Sequence, residues 1–361
     1  MNKPKYFRLM DDIKIKIKQK KYTAGMKLPS ENDFANEYGI SRQTVRKALK
    51  ALADEGFVHA EHGKGTFVSE LARHTKTSKN IAIVTTYLSD YIFPRVIQGI
   101  DRVFTENGYS IILKTTRNSA TAEARCIEEL LSKDIDGMII EPSKSQIYCK
   151  HISLFEQMDE YDIPYVFIQG YFDELRKKPC VIMNDIKGGY LITKYLISQG
   201  CKNIYGIFKA DDVQGKNRHK GYVLALQEAD ILYDPDKVIW FHTEDREIKP
   251  RESISELIRK EVAIDSVVCY NDQIAVEVIR TFQVHGINVP KDVSVTGFDN
   301  SMLAKNNIIP ITTVSHPQEL LGQNAAELML KLIRKEAISS EDLHIVMEPE
   351  VIVRKSTRIK H

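Results

Sequence analysis

Apolar positions near the start of the chain recur at helical spacing. Tyr6, Met10, Ile13 and Ile17 fall at steps of four, three and four, which predicts a helix over 6–21 with one apolar face. Ser30 followed by Asp33 has the form of a capping box, opening a second short helix that Gly39 ends. Ser41 then caps a third helix. Its Val45, Ala48, Leu49 and Leu52 form an inward stripe and leave Arg42, Gln43, Arg46, Lys47 and Lys50 outside. Beyond it, 57–60 and 66–68 are β-prone runs around the Gly-rich stretch 61–65, the pattern of a hairpin. Three helices and a hairpin predict a winged helix-turn-helix over residues 1–69.

Residues 70–79 are polar and aperiodic, which marks a linker. From residue 80 the pattern changes. β-branched runs at 81–85, 111–114, 137–140, 165–168, 204–208, 267–270 and 293–297 alternate with helix-length stretches. Such alternation predicts an α/β fold of parallel βαβ units. Its length suits a two-lobed domain over 80–361, built on two doubly wound parallel sheets with crossovers at a hinge. Ligands of such sheets bind at the carboxyl ends of strands, so two facing lobes make a cleft.

Composition adds limits. With 361 residues, 43% apolar and 28% charged, the chain can bury a core without disulfides or metals. Its five cysteines are an odd set without CxxC spacing, as expected of reduced thiols in the cytoplasm. The charged N-terminus and the lack of eighteen consecutive apolar residues argue against export and membrane spanning. Net charge is +2, unevenly spread: residues 1–78 carry 12 Lys and 4 Arg against 9 acidic groups, +7, and the other 283 sum to −5. A basic small domain on a mildly acidic large one points to a polyanion partner for the first. A solvated Lys-rich face is the plainer reading of the same charges.

The third helix offers the chemistry for reading DNA. Arginine pairs bidentately with guanine and glutamine with adenine, so Arg42, Gln43 and Arg46 are candidates for base contacts, with Thr44 and Lys47 on phosphates. The stretch 63–65 resembles a phosphate loop only superficially, because a strand pattern and not a helix follows it. No GxSxG, HExxH or paired-cysteine spacing occurs, and Asp211 with Asp212 lacks neighbouring ligands. Neither catalysis, nor a cofactor, nor a metal is expected.

Lys27-Leu28-Pro29-Ser30-Glu31, then 41–49 (SRQTVRKAL) and 62–68 (HGKGTFV), resemble the GntR family of winged-helix regulators in order and spacing. The rest resembles the LacI/GalR repressors and periplasmic sugar-binding proteins, through Gly99-Ile100, 135–140 (IDGMII), 218–222 (RHKGY), 270–272 (YND), 295–299 (VTGFD) and 348–354 (EPEVIVR). Their pairing resembles the arabinose repressors of Gram-positive bacteria, especially over 86–94 and 206–212.

The GntR resemblance implies that Tyr6, Ser30 and Glu31 also face DNA and that Lys64, Gly65 and Thr66 form a wing tip entering the minor groove. Each of the first three has another reading: core for Tyr6, a helix cap for Ser30, a dipole-favoured charge for Glu31. Alignment with the sugar-binding patterns implies a cleft containing Asp90, Phe93, Glu141, Gln169, Arg218, Asn271, Asp299 and His316. Asp90, Glu141 and Asp299 would accept hydroxyl protons, Arg218 would donate, and Phe93 or Tyr91 would stack on a sugar face. Lys209 and Asp211 follow from the arabinose-repressor resemblance. Asn271 also reads as a helix cap, Asp299 as a turn residue, Phe93 as core and His316 as part of a hinge crossover. The whole implies a homodimeric repressor on a pseudo-palindromic double-stranded operator, released by a free sugar, L-arabinose. Its rivals are an activator or a repressor answering to another sugar or a sugar phosphate, a transport protein, and an enzyme carrying a DNA module.

Overall fold

The computed structural model describes residues 4–18, 21–69, 78–88 and 91–359. By the distribution of its backbone contacts the chain divides into two compact units. One comprises 1–82, 127–138 and 151–164, the other 83–126, 139–150 and 165–361.

In the first unit, α1 (Lys5–Lys18), α2 (Glu31–Tyr38) and α3 (Arg42–Asp54) precede a hairpin of β1 (Val58–Glu61) and β2 (Gly65–Val68), paired antiparallel. α1 ends at Lys18, short of the expected residue 21, whereas the expected caps of α2 and α3 hold for local reasons. The Ser30 hydroxyl accepts from the Asp33 amide while the Asp33 carboxylate accepts from the Ser30 amide, a complete capping box, and Gly39 ends α2 at φ 59°. Ser41 caps α3 through the Thr44 amide. Val45, Ala48, Leu49 and Leu52 turn inward with Leu9, Met10, Ile13 and Phe34 to make one apolar core. The polar face of α3 is thereby left to solvent.

The larger part of the chain is α/β. A six-stranded sheet has the order β13 (His344–Met347), β7 (Cys180–Met183), β6 (Tyr165–Ile168), β5 (Gly137–Ile140), β3 (Asn80–Thr85), β4 (Ser110–Thr115). A second, four-stranded parallel sheet has the order β11 (Ser294–Thr296), β10 (Ser266–Cys269), β8 (Ile204–Lys209), β9 (Val238–Phe241). β12 (Thr313–Val314) and β14 (Val351–Ile352) pair antiparallel as a short separate ribbon. All seven expected strands form; β7, β9, β12, β13 and β14 were not foreseen.

Two helix pairs in the second unit are welded by glycine. A Cβ on Gly189 of α7 (Asp185–Ser198) would strike the Arg218 carbonyl of α8 (Val213–Glu228), and one on Gly221 of α8 would strike that of Ile186. Gly99 of α4 (Phe93–Glu106) and Gly322 of α12 (Gln318–Ile333) meet Glu319 and Val96 in the same way. Backbones packed this closely fix where α8, and Arg218 on it, sits against α7. No described helix is long and apolar enough to cross a membrane.

Candidate functional site

A cleft of about 950 Å³ opens in the second unit, and every residue lining it belongs to that unit. Its polar groups follow the carboxyl ends of strands in both parallel sheets: Thr86 after β3, Glu141 after β5, Gln169 after β6, Lys209 ending β8, Asn271 after β10 and Asp299 after β11. Four lining residues hold left-handed backbones, Tyr91 at φ 78°, Asn118 at 57°, Gln169 at 66° and Asp299 at 96°. Non-glycine residues adopt that conformation at a cost, which the surrounding fold has to offset.

Arg218 is the central cation. It is buried, with Nε donating to Asp185 at 2.8 Å, one terminal nitrogen to the Tyr270 carbonyl at 2.7 Å and the other near Asp299 at 3.4 Å. The Phe298 ring lies 3.6 Å from its guanidinium carbon. Burial still pushes the Asp185 carboxyl up to about 6, against the pull of Arg218. Lys209, the second buried cation, lies 3.0 Å from Asp212 and 3.6 Å from Asp211. Both cations are therefore already matched by carboxylates.

Glu141 is buried with one oxygen crowded by donors. The Thr86 amide and hydroxyl reach it at 2.6 Å each and the Thr85 hydroxyl at 3.0 Å. Burial outweighs these bonds and raises its pKa to about 7. Tyr91 sends its hydroxyl to the Phe298 carbonyl and receives the Asp272 amide, both at 2.9 Å, so its ring is fixed along the wall. Asn271 caps α10 (Asp272–Val284) through the Ile274 amide and lines the cleft as well. Phe93 begins α4 and is both core and lining. Asp211 and His316 stand one layer back: Asp211 behind Lys209, accepting from the Thr243 amide, and His316 behind Gln169. Asp90 lies outside the described residues.

On the first unit, Arg42, Gln43, Thr44, Arg46 and Lys47 sit on the outer side of α3, with Thr44 hydroxyl-bonded to Ser41 at 2.8 Å. Arg46 holds Glu31 bidentately, at 3.0 and 2.8 Å. Tyr6 packs against the core with its ring under the Lys47 ammonium, 4.3 Å away. Ser30 is occupied as the cap of α2. Lys64, Gly65 and Thr66 form the end of the hairpin, where Gly65 at φ 122° meets Glu61 across the turn.

Residues 5–68 match the model of the gntR family of bacterial regulatory proteins, and 193–357 match that of a periplasmic binding protein-like domain. The arabinose metabolism transcriptional repressor of Halalkalibacterium halodurans is 37% identical across 98% of this chain and 96% of its own length. The protein of the same description from Geobacillus stearothermophilus is 36% identical across 98% of each. The chain belongs to the arabinose metabolism transcriptional repressors. Among solved structures, the transcription regulator CcpA of Lactococcus lactis superposes with a TM-score of 0.69 at 25% identity, over 77% of this chain and 99% of its own. As a member of the repressor family, the chain is a DNA-binding regulator rather than an enzyme.

The repressor's cleft also contains groups that the sequence reading passed over. Asp212 caps α8 through the Gly215 amide and accepts from the Tyr270 hydroxyl at 2.7 Å while pairing with Lys209. Arg246 comes from the loop after β9 and covers the Tyr87 ring at 4.8 Å. Asp212 directly follows Asp211, and its cap position was the available signal; nothing in the sequence pointed to Arg246.

Proposed function

We propose that the repressor's effector is L-arabinose, bound as the free sugar in this cleft, and that binding releases a dimer from operator DNA. Residues 1–69 then form the DNA reader, 70–79 the linker and 80–361 the sensor and dimerisation domain, working in the cytoplasm. The observation that carries the effector reading is charge compensation. Lys209 faces Asp211 and Asp212, and Arg218 faces Asp185 and Asp299. A cleft whose buried cations are already neutralised suits an uncharged ligand with many hydroxyls and leaves little net attraction for a phosphate. Glu141, Gln169, Lys209, Arg218, Asn271 and Asp299 supply the polar contacts, and Phe93 with Tyr91 the apolar walls, while Asp211 and His316 support them from behind. The relatives' description supplies the choice of sugar.

On the DNA side, Arg42, Gln43 and Arg46 read bases, Thr44 and Lys47 hold phosphates, and Lys64 to Thr66 enter the minor groove. Fluorescence anisotropy on an operator duplex, titrated with pentoses and hexoses, tests the whole. L-Arabinose should release the duplex at lower concentration than its epimers. Release by no free sugar would sink the effector reading, and tighter operator binding with sugar would reverse the sign of coupling.

A further inference from the structure

The back wall of the cleft holds two buried polar atoms with no partner, on residues that touch each other. The Gln169 side-chain oxygen lies 2.9 Å from His316 Nε2, while Gln169 Nε2 and His316 Nδ1 meet no hydrogen-bond partner. Both side chains are at least nine-tenths buried, with Gln169 at 5% exposure and His316 at 4%. Gln169 lines the cleft and His316 does not.

The placement of the carboxamide oxygen against the ring sets the polarity of the pair. A carboxamide oxygen only accepts, so the ring hydrogen of His316 sits on Nε2 and donates to it. The amide is then held in one orientation, with its NH₂ group the half left without a partner. Burial keeps the ring neutral, its pKa pulled down to about 4, so this polarity persists at physiological pH. A buried NH₂ without a partner is costly, and a ligand oxygen that accepts from it recovers much of that cost. The left-handed backbone of Gln169, φ 66°, is what brings this side chain to the wall.

We infer that His316 is a positioning residue: it locks the Gln169 carboxamide so that the cleft presents a donor, selecting a ligand with an acceptor oxygen at that point. This rests on the cleft being the sugar site. A histidine that merely filled the core would leave Gln169 free to turn and would contribute to sugar binding independently of it.

Calorimetric titration of the full chain with L-arabinose, using four variants, separates these cases. Gln169→Ala should weaken binding about tenfold, the usual scale for one lost hydrogen bond to a buried group. His316→Leu should lose about the same, and the double variant no more than either. His316→Gln, which keeps an N–H donor, should restore most of the affinity. Gln169→Glu keeps the size and the bond from His316 but offers an acceptor where the donor stood, and should lose at least as much as Gln169→Ala; it serves even if His316→Leu fails to fold. Losses that multiply in the double variant, or undiminished binding by Gln169→Glu, would overturn the inference. Absence of binding by the unmodified chain to any pentose would instead overturn the sugar assignment on which it stands.

Discussion

Arg46 of α3 grips Glu31, the first residue of α2, through two nitrogens on two carboxylate oxygens, at 3.0 and 2.8 Å. The arginine side chain is otherwise open to solvent, 71% exposed. An isolated surface pair contributes little to stability, so its significance is orientation: the guanidinium fork is aimed before DNA arrives. Removing Glu31 deletes a negative charge, which by long-range electrostatics alone should tighten binding to a polyanion. If aim matters more, Glu31→Ala should weaken specific operator binding while raising non-specific affinity. Arg46→Ala should cost roughly ten- to a hundredfold in specific affinity. Gel-shift titrations against operator and scrambled duplexes check both, and unchanged operator affinity in Arg46→Ala would remove that residue from base reading.

Arg218 is neutralised by two carboxylates that cannot easily reach water. Replacing it with methionine leaves Asp185 and Asp299 buried and facing each other's charge, at an expected cost of about 3–5 kcal/mol in unfolding free energy. Adding Asp185→Asn should return part of that loss. Urea denaturation followed by circular dichroism measures both. Equal stabilities for the single and double variants would mean that Asp185 is not the stranded group.

Glu141 gives the sensor a pH dependence with two opposite signs. A sugar hydroxyl donates best to the carboxylate, so affinity should rise as pH passes through about 7 and level off above it; the change from pH ~6 to ~8 is about tenfold. Stability of the empty chain runs the other way. Glu141 and Asp272, both raised to about 7 by burial, bind protons more tightly folded than unfolded. Their contribution is full below the unfolded values of 4.5 and 3.8 and is lost as pH rises through about 7. His316, lowered to about 4, acts oppositely, losing stability as pH falls from 6.5 toward 4. Titrations at several pH values, repeated with Glu141→Gln, should show the affinity slope vanish in the variant.

Lys144 ties the loop after β5 to Glu244 on the loop after β9, with Asp211 at 3.7 Å behind it, and Asn118 donates to Thr243 at 2.5 Å beside them. Asn118 lines the cleft, and the other four residues lie behind it at the cleft's edge. An uncharged ligand should bind independently of salt unless charges close over it, so arabinose affinity is expected to fall a few-fold between low and high ionic strength. Glu244→Gln should bind more weakly at low salt and lose the dependence. A flat salt profile in the unmodified chain would show that the rim pair does not contribute to binding.

How far the sequence alone reached depended on whether a signal was local. The caps at Ser30 and Ser41 and the stripe of α3 need only neighbours within one turn, and all were legible. β7 and β13 were not: each is a four-residue run, too short to carry a period, and they pair with each other although Cys180 and His344 are far apart in the chain. The cleft divides in the same way. Glu141, Gln169, Asn271 and Asp299 could be named because the resemblance to sugar-binding proteins aligns them just after strand ends. Arg246 and Tyr87 meet only through folding, and the burial that places His316 behind Gln169, out of the cleft lining, has no counterpart in sequence spacing.

The left-handed residues around the cleft carry a further implication. Glycine would occupy the backbone of Gln169 or Asp299 with less strain, by about 1 kcal/mol each. A repressor selected for durability alone would move toward glycine there and give up side chains at two strand ends. These positions therefore mark a trade in which thermal robustness is surrendered for recognition. Stabilising substitutions gathered from relatives without regard to ligand should accumulate at this wall first and yield sturdier proteins deaf to their inducer.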